Sequence, residues 1–459
     1  MLRHRPHHGR GTTAQPPPAN GTGTRPAPPP PGPAERDSFN ELKSRIHQNL
    51  IARLDLSVLV SLDRSVLSAQ IGSVVEALLA EEGTYLTPET RQRLVAETQD
   101  EVLGLGPLEP YMHRPEVSDI LVNGHERVYL EEHGKLRLTG TRFKDDDHLR
   151  KIIDRIVVRV GRRLDEASPM VDARLEDGSR VNAIIPPLPV DGPVLSIRRF
   201  RTNVLSIDDL VGQGSICEAI FTFLRSAVRA RLNTIVSGGT GSGKTTLLNI
   251  LSAYIPADER IITIEDSAEL KLQQPHVVRL ETRQPNIEGQ GTVTQRDLLR
   301  NALRMRPDRI LIGEVRGNEI YDMLQAMNTG HDGSLTTVHA NSNRDTLLRL
   351  ETLMLLSGID IPSRAVRELI SSSIDLIVHV SRFSDGTRRV SSVSEIVGME
   401  EAVISMQELF QFQRTGVAQD GRILDRFVAT GIRPKCLERL RASGIHIPPE
   451  TFAPPGGVP

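Results

Sequence analysis

Residues 238–245 read GGTGSGKT and fill every fixed place of G-x-x-x-x-G-K-[ST]: Gly238, Gly243, Lys244 and Thr245. Each residue type has a physical task. Gly238, Gly239, Gly241 and Gly243, with Thr240 and Ser242 between them, let the backbone curl so that its N–H groups face phosphate oxygens. The apolar stretch that follows, opening on Thr245 and Thr246, predicts a helix whose N-terminus adds a positive dipole end. Lys244 brings a charge for the β- and γ-phosphates, and the Thr245 hydroxyl suits magnesium. A strand over Leu232–Ser237 precedes the loop, so motif and context agree on a nucleotide-binding site. That leaves open an ATPase motor, a GTPase, a small-molecule kinase or a DNA motor.

Three further strand ends carry chemistry. RILIGEVRG (309–317) runs an apolar strand into Gly313 and Glu314, with Arg316 two residues on. A carboxylate closing an apolar run is costly unless something holds it. IITIEDSAEL (261–270) places Glu265, Asp266 and Glu269 after another apolar strand. LTTVHA (335–340) delivers His339, which by itself reads equally as a core histidine. Ligands of open α/β sheets sit at the carboxyl ends of strands, so these groups are expected to face the phosphate loop, where carboxylates suit water activation and magnesium binding. None of the seven lysines follows Asn or Thr, so the Asn/Thr-Lys-x-Asp base-reading motif of a GTPase is missing.

The elements that must position these groups follow from the pattern. From about 215 to 380 short apolar strands alternate with helices, which argues a parallel sheet covered on both faces. Before it, ILVNGHERVYLEEHGKLRL predicts strands around Asn-Gly and His-Gly turns. A helix follows, with Asp145–Asp147 at its start and Leu149, Ile152, Ile153, Ile156, Val157 and Val160 inward. A hairpin at Asp177-Gly178 and the strand PVLSIRRF complete a smaller α/β domain. Leu42, Ile46, Leu50 and Leu54, then Val74, Val75, Leu78 and Leu79, then Thr87-Pro88 as a helix start, describe a helical bundle. The expected organisation is a disordered Pro/Gly/Arg-rich tail (1–37), a helical bundle (38–104), an α/β domain (105–204), a RecA-like P-loop domain (205–400) and a strand-and-helix extension (401–459) with a hairpin at Asp385-Gly386 and a loose end from about Pro448.

Bulk composition excludes some classes. The formal net charge is -2, from 56 Lys+Arg against 58 Asp+Glu, and aromatics are 3% with no Trp. That is neither a basic nucleic-acid coat nor a stacking groove for single strands. Cys217 and Cys436 are too few for a disulfide framework or a CxxC metal site and read as free thiols in a reducing cytoplasm. No apolar run is long enough to span a membrane, and the N-terminus has no signal-peptide core, so membrane contact is expected through a partner.

GGTGSGKTT, TIEDSAEL, RMRPDRILIGEVRG and GHDGSLTTVHAN together resemble the Walker A, Asp box, Walker B and His box of the ATPases of type II/type IV secretion and pilus assembly. SDILVNGHERVYLE, SIRRF, RLETLMLLSG, SEIVGME and ATGIRPKCLERL resemble the CpaF branch, the motor of Tad/Flp pili, over about residues 38–452. The paired CxxC of type II secretion motors is absent. The resemblance implies ATP and Mg2+ as ligands, with phosphate and metal at Lys244 and Thr245. It implies Glu314 as the Walker B carboxylate with glycine before it leaving backbone room beside the nucleotide, and Glu269 as candidate general base supported by Glu265 and Asp266. It also implies His339 as the His-box residue, and Arg180 with Arg198 or Arg199 reaching the nucleotide from the smaller domain. On residue type alone these arginines read as ordinary exposed strand side chains. The resemblance further implies a hexameric ring at the cytoplasmic face of the inner membrane, acting on an integral-membrane platform protein. The linker near Thr202–Asp209 is the expected hinge, and the charge balance and few aromatics lead to no expected nucleic-acid partner. Alternatives are a RecA-like DNA motor and a scaffold that binds ATP only to assemble; the set Glu265, Glu269, Glu314 and His339 argues against the scaffold.

Overall fold

The computed structural model describes residues 33–53, 64–83, 85–200, 205–283, 285, 290–417 and 423–454. The tail before residue 33, Leu54 of the expected bundle and residues 202–204 of the expected hinge lie outside them. The chain forms two compact units, Met1–Gly106 and Pro107–Pro459.

The first unit is helical: α1 (Pro33–Arg53), α2 (Arg64–Glu82) and α3 (Pro88–Leu103). Leu42, Ile46, Leu50, Ile71, Val75, Leu78, Leu79 and Leu94 form its buried core. Thr87 caps α3 by accepting from the Thr90 N–H, and Pro88 occupies the first turn, where it costs no hydrogen bond. The first helix begins at Pro33, inside the stretch whose composition predicts no structure.

The second unit opens with α4 (Glu109–Met112), β1 (Val117–Asn123), β2 (Arg127–Glu132), β3 (Lys135–Leu138), α5 (Asp146–Arg159), β4 (Met170–Arg174), β5 (Arg180–Ile184) and β6 (Val194–Arg198). The strands make one antiparallel sheet, ordered β3-β2-β1-β6-β5-β4. Asp145 caps α5 from the His148 N–H, and the helix buries Leu149, Ile152, Ile153, Ile156 and Val157. His133 (φ 49°) and Gly134 (φ 77°) make the tight turn between β2 and β3, both in the left-handed region that such two-residue loops require.

The larger domain continues with α6 (Ile207–Gly212), α7 (Glu218–Arg229), β7 (Thr234–Gly238), α8 (Lys244–Ser252), β8 (Ile261–Glu265), β9 (Val277–Glu281), α9 (Gln295–Ala302), β10 (Arg309–Val315) and α10 (Glu319–Asn328). Next come β11 (Leu335–His339), α11 (Asn343–Leu356), α12 (Ser363–Ser373), β12 (Leu376–Arg382), β13 (Arg388–Glu400), β14 (Val403–Val417), β15 (Ile423–Ala429) and α13 (Leu437–Ala442). The sheet order is β15-β14-β13-β12-β7-β11-β10-β8-β9. Strands β12 through β9 run parallel, and β13–β15 add an antiparallel meander. This is the mixed α/β, RecA-like architecture the alternation implied, and the turn after Glu400 joins two strands of that same sheet. Successive strand residues face opposite sides. Val236 packs among Phe223, Leu248 and Leu251 on one face, and Ile235 among Leu324, Leu350 and Ile370 on the other.

The described part of the end expected to be loose from Pro448 is ordered, and residues 455–459 lie outside the described residues. Pro449–Phe452 make a short 3-10 turn, and Phe452 is buried with its ring 5.4 Å from Phe223 and 5.5 Å from Phe410. Burying one aromatic ring outweighs the turn-forming prolines around it.

At the opposite edge of the sheet from the phosphate loop, Arg309 is fully buried. Its guanidinium takes both carboxylate oxygens of Glu259 at 2.5 and 3.1 Å and donates to the Val228 carbonyl at 2.6 Å. A Cβ on Gly333 would lie 2.5 Å from this guanidinium, so the turn before β11 needs glycine there. Breaking a buried pair by removing one partner leaves an uncompensated charge. Arg309→Leu is therefore expected to destabilise the protein by about 3–5 kcal/mol, read as an earlier urea midpoint in circular dichroism; a midpoint unchanged from wild type would refute the assignment.

Candidate active site

The phosphate loop stands where β7 ends. β7 pairs with β11 and β12 on either side, with Gly238 opposite His339 and opposite Val380. Gly241 (φ 67°) and Gly243 (φ 99°) take the left-handed conformations that turn the loop, and Gly243 caps α8. A Cβ on Gly238 would lie 2.3 Å from the Val380 carbonyl oxygen. The Ser242 hydroxyl is buried and has no hydrogen-bond partner. Thr245 and Thr246 follow in the first turn of α8 and are half-buried.

Lys244 is buried at the start of α8, and burial pushes its ammonium below the ordinary lysine pKa. It donates to the Gly239 carbonyl at 3.0 Å and lies 3.2 Å from Nδ1 of His339. A lysine has only donors, so Nδ1 is the acceptor and the imidazole proton sits on Nε2, 3.3 Å from the Thr240 hydroxyl. Burial and the Lys244 charge both lower the His339 pKa, which favours this neutral ring. His339 thus belongs to the site rather than the core.

The strand carrying Glu314 is bulged. Ile312 pairs with Thr336 but Val315 with Val338, so Gly313 and Glu314 together oppose Thr337. A bulge re-aims a side chain. Glu314 lies 2.6 Å from Arg316 and 3.7 Å from His339 Nδ1. The same Arg316 guanidinium lies 3.6 Å from Asp266, and Glu314 raises its pKa further. The charge at the end of the apolar run is therefore balanced from within the motif. Gly313 packs against the Glu265 stem: a Cβ there would lie 3.0 Å from Cγ of Glu265.

Glu265 is almost wholly buried, and burial raises its pKa. One oxygen accepts from the Glu269 and Leu270 N–H groups at 2.7 and 3.0 Å; the other is buried without a partner. Glu265 holds the loop, and Glu269 projects from it. Arg180 lies 2.9 Å from the Glu269 carboxylate and donates to the Ser267 carbonyl at 3.0 Å. Arg174, which motif reading passed over, pairs with Glu281 at 2.5 Å and donates to the Ala268 carbonyl at 3.0 Å. Arg174, Arg180 and Arg198 are in register across β4, β5 and β6. That row is the signal that could have found Arg174, because like charges set side by side on a sheet need outside partners.

Arg198 and Arg199 do not join this group. Arg198 pairs with Asp119, its in-register neighbour on β1, at 3.2 Å. Arg199 donates to the carbonyls of Arg114 and Val117. Both tie β6 to β1 within the smaller domain.

These residues fit a nucleotide with magnesium. The loop has the left-handed glycines of a phosphate cradle, an unpartnered Ser242 hydroxyl and a lysine at a helix N-terminus. Thr245 and Glu314 supply the hard oxygen donors that magnesium takes. Among the described residues no cluster of His, Cys, Asp and Glu points to another metal, and no helix is long and apolar enough to cross a membrane.

The profile of the family described as type II/IV secretion system protein matches residues 101–419. A putative conjugal transfer protein of Mycobacterium tuberculosis is 40% identical over 302 residues, covering 64% of this chain and 85% of that protein. The conjugal transfer protein TrbB of Rhizobium radiobacter is 34% identical, covering 61% and 84%. The type IV secretion system protein VirB11 of Brucella suis is 32% identical, covering 64% and 88%. The crystal structure of the Brucella suis VirB11 ATPase covers 63% of this chain and 95% of its own at 32% identity, with a TM-score of 0.35. With the family profile spanning more than half of its length, the chain belongs to the type II/IV secretion system ATPase family.

Proposed function

We propose that this chain is the ATP-hydrolysing motor of a Tad/Flp-type pilus machine of the CpaF kind. It works as a hexameric ring at the cytoplasmic face of the inner membrane, pushing on an integral-membrane platform protein. The observation that carries the motor reading is that Glu269, on the loop beside the phosphate cradle, is held by Arg180 of a different domain. A site whose candidate base is gripped from the neighbouring domain links chemistry to domain position. The pilus assignment is supported by sequence outside the site, such as SDILVNGHERVYLE at 118–131. The relatives named for conjugal transfer favour a second reading, a conjugal-transfer or type IV secretion motor. Deletion in the host separates the two: loss of surface pili supports the first, loss of DNA transfer the second.

In this reading Lys244 exchanges the Gly239 carbonyl and His339 for phosphate oxygens. Glu269 orients the attacking water and accepts its proton, with Arg180 fixing the carboxylate. Thr245 and Glu314 would hold magnesium, which would supply positive charge against the phosphoryl group being transferred. Arg316 steadies Glu314 from one side.

Glu314→Gln is expected to keep nucleotide binding and lose turnover by about 10²-fold or more, whereas Lys244→Ala loses both; a Glu314→Gln protein that cannot bind a fluorescent ATP analogue would count against a catalytic role. Arg180→Ala is expected to slow turnover about tenfold or more through misplacement of Glu269. Arg198→Ala with Arg199→Ala is expected instead to lower the melting temperature with turnover nearly unchanged, and the reverse ordering would overturn this division. Finally, turnover per subunit should fall steeply across a dilution series; a flat and substantial rate would remove the ring from the mechanism.

A further inference from the structure

We propose that Arg382 couples nucleotide occupancy of the phosphate loop to the hold on the smaller domain's β2–β3 turn. The inference rests on the nucleotide reading above and adds the residue through which occupancy is transmitted.

Arg382 ends β12, two residues beyond Val380, which is in register with Gly238. Directly across the hairpin stands Arg388. Two arginines facing each other on adjacent strands repel unless each is used elsewhere. Arg388 donates to the Gly241 carbonyl of the phosphate loop at 2.7 Å. Arg382 is shared between two domains. One nitrogen of its guanidinium donates to the Gly134 carbonyl at the tip of the β2–β3 turn and lies 3.5 Å from the Glu131 carboxylate. The other faces the phosphate loop so closely that a Cβ on Gly241 would lie 3.1 Å from it. The two hairpin tips also meet: a Cβ on Gly386 would lie 3.4 Å from the His133 carbonyl oxygen.

The same arginine lines an open cleft of about 430 Å³, together with Gly239, Thr240, Ser242, Asn341 and His379. The unpartnered, buried Ser242 hydroxyl belongs to this cleft. Sheet order fixes what it can hold. Glu314 and Glu265 sit on β10 and β8, to one side of β7; the cleft lies over β12, on the other. A nucleotide with its terminal phosphate toward the carboxylates therefore runs its inner phosphates and nucleoside over β12, beside Arg382. A phosphate offers the guanidinium full opposite charge and a bidentate pair of oxygens, whereas the turn offers one neutral carbonyl and a carboxylate no closer than 3.5 Å. The guanidinium then turns to the phosphates and releases Gly134. The grip of Arg174 and Arg180 on the other loop does not involve this arginine, so one contact between the domains loosens while the other stays, and the smaller domain pivots.

The test is hydrogen–deuterium exchange of the amides of residues 133–138 in the full-length protein, with and without saturating Mg-ADP, alongside ADP affinity by calorimetry. In wild type, ADP is expected to raise exchange at the turn several-fold. In Arg382→Gln, exchange is already raised without nucleotide and ADP adds nothing. Arg382→Lys keeps much of the ADP affinity but loses the response, because one ammonium cannot span both partners. Glu131→Gln, which weakens the latch without touching the nucleotide, is expected to raise exchange and tighten ADP binding, since what loosens the turn must favour the nucleotide by linkage. A purely structural role for Arg382 predicts no gain in ADP affinity from Glu131→Gln. Wild-type protein that binds ADP with an unresponsive turn, or Arg382→Gln that responds as wild type does, overturns the coupling alone. Wild-type protein that binds no ADP overturns the nucleotide reading and the coupling with it.

Discussion

A carboxylate shut away from water organises the working edge of the large sheet. Glu265 ends β8 beneath its own loop, and a buried carboxylate must be hydrogen-bonded or neutralised. It takes the N–H groups of Glu269 and Leu270, which closes residues 265–270 into a fixed ring of backbone. Gly313 lies alongside because the space a side chain would need there is filled by the Glu265 stem. Strand β8, strand β10 and the loop are thereby set against one another, and Glu269 emerges in one place. Only because that place is fixed can Arg180 meet Glu269 while Arg174 meets Glu281 and the Ala268 carbonyl.

The remaining charges follow from the same crowding. Glu314 and Asp266 end neighbouring strands, and two carboxylates at one edge repel. Arg316 stands between them, and its own backbone N–H is fixed by Glu319 at 2.6 Å. Burial and the Lys244 charge 3.2 Å away both lower the His339 pKa, which favours the neutral ring. The edge therefore carries a nearly balanced set of charges that a triphosphate and its metal can enter by exchange. Glutamate rather than aspartate after Gly313 fits the bulge: the longer side chain reaches back past the displaced backbone to His339 and Arg316.

What could be read from sequence was what spacing and apolar runs encode. The phosphate loop has fixed offsets, and buried parallel strands appear as short apolar stretches, so 238–245 and the strand ends at Glu265, Glu314 and His339 were visible before any coordinates. What depends on register was not. Arg174, Arg180 and Arg198 look alike along the chain, and only strand pairing shows that they form one row, with Asp119 satisfying the last and the loop beyond β8 receiving the first two. The packing of Gly313 against Glu265 was hidden because a glycine's neighbours across strands leave no trace in its own sequence. Helix α11 exposes Leu348, Leu355 and Leu356 against the simple inside-outside pattern. The end of the chain reads as loose from its prolines, yet Phe452 docks between two aromatic rings.

The contacts that join the smaller domain to the ATPase domain share an energetic character. Arg174–Glu281, Arg180–Glu269 and Arg382–Glu131 are each about one-fifth to two-fifths exposed. Ion pairs in such settings are worth at most about 1 kcal/mol each. Within the ATPase domain, by contrast, Arg309–Glu259 is buried, and Ile235, Val236 and their neighbours pack on both faces of the sheet. The fold is thus stiff inside the large domain and lightly held by these pairs at this boundary, and two of them, Arg174 and Arg180, grip the loop that carries Glu269. A motor needs that contrast: an interface strongly packed with apolar side chains would resist reopening after each turnover, and an interface without directional charges would not sense which state the site was in.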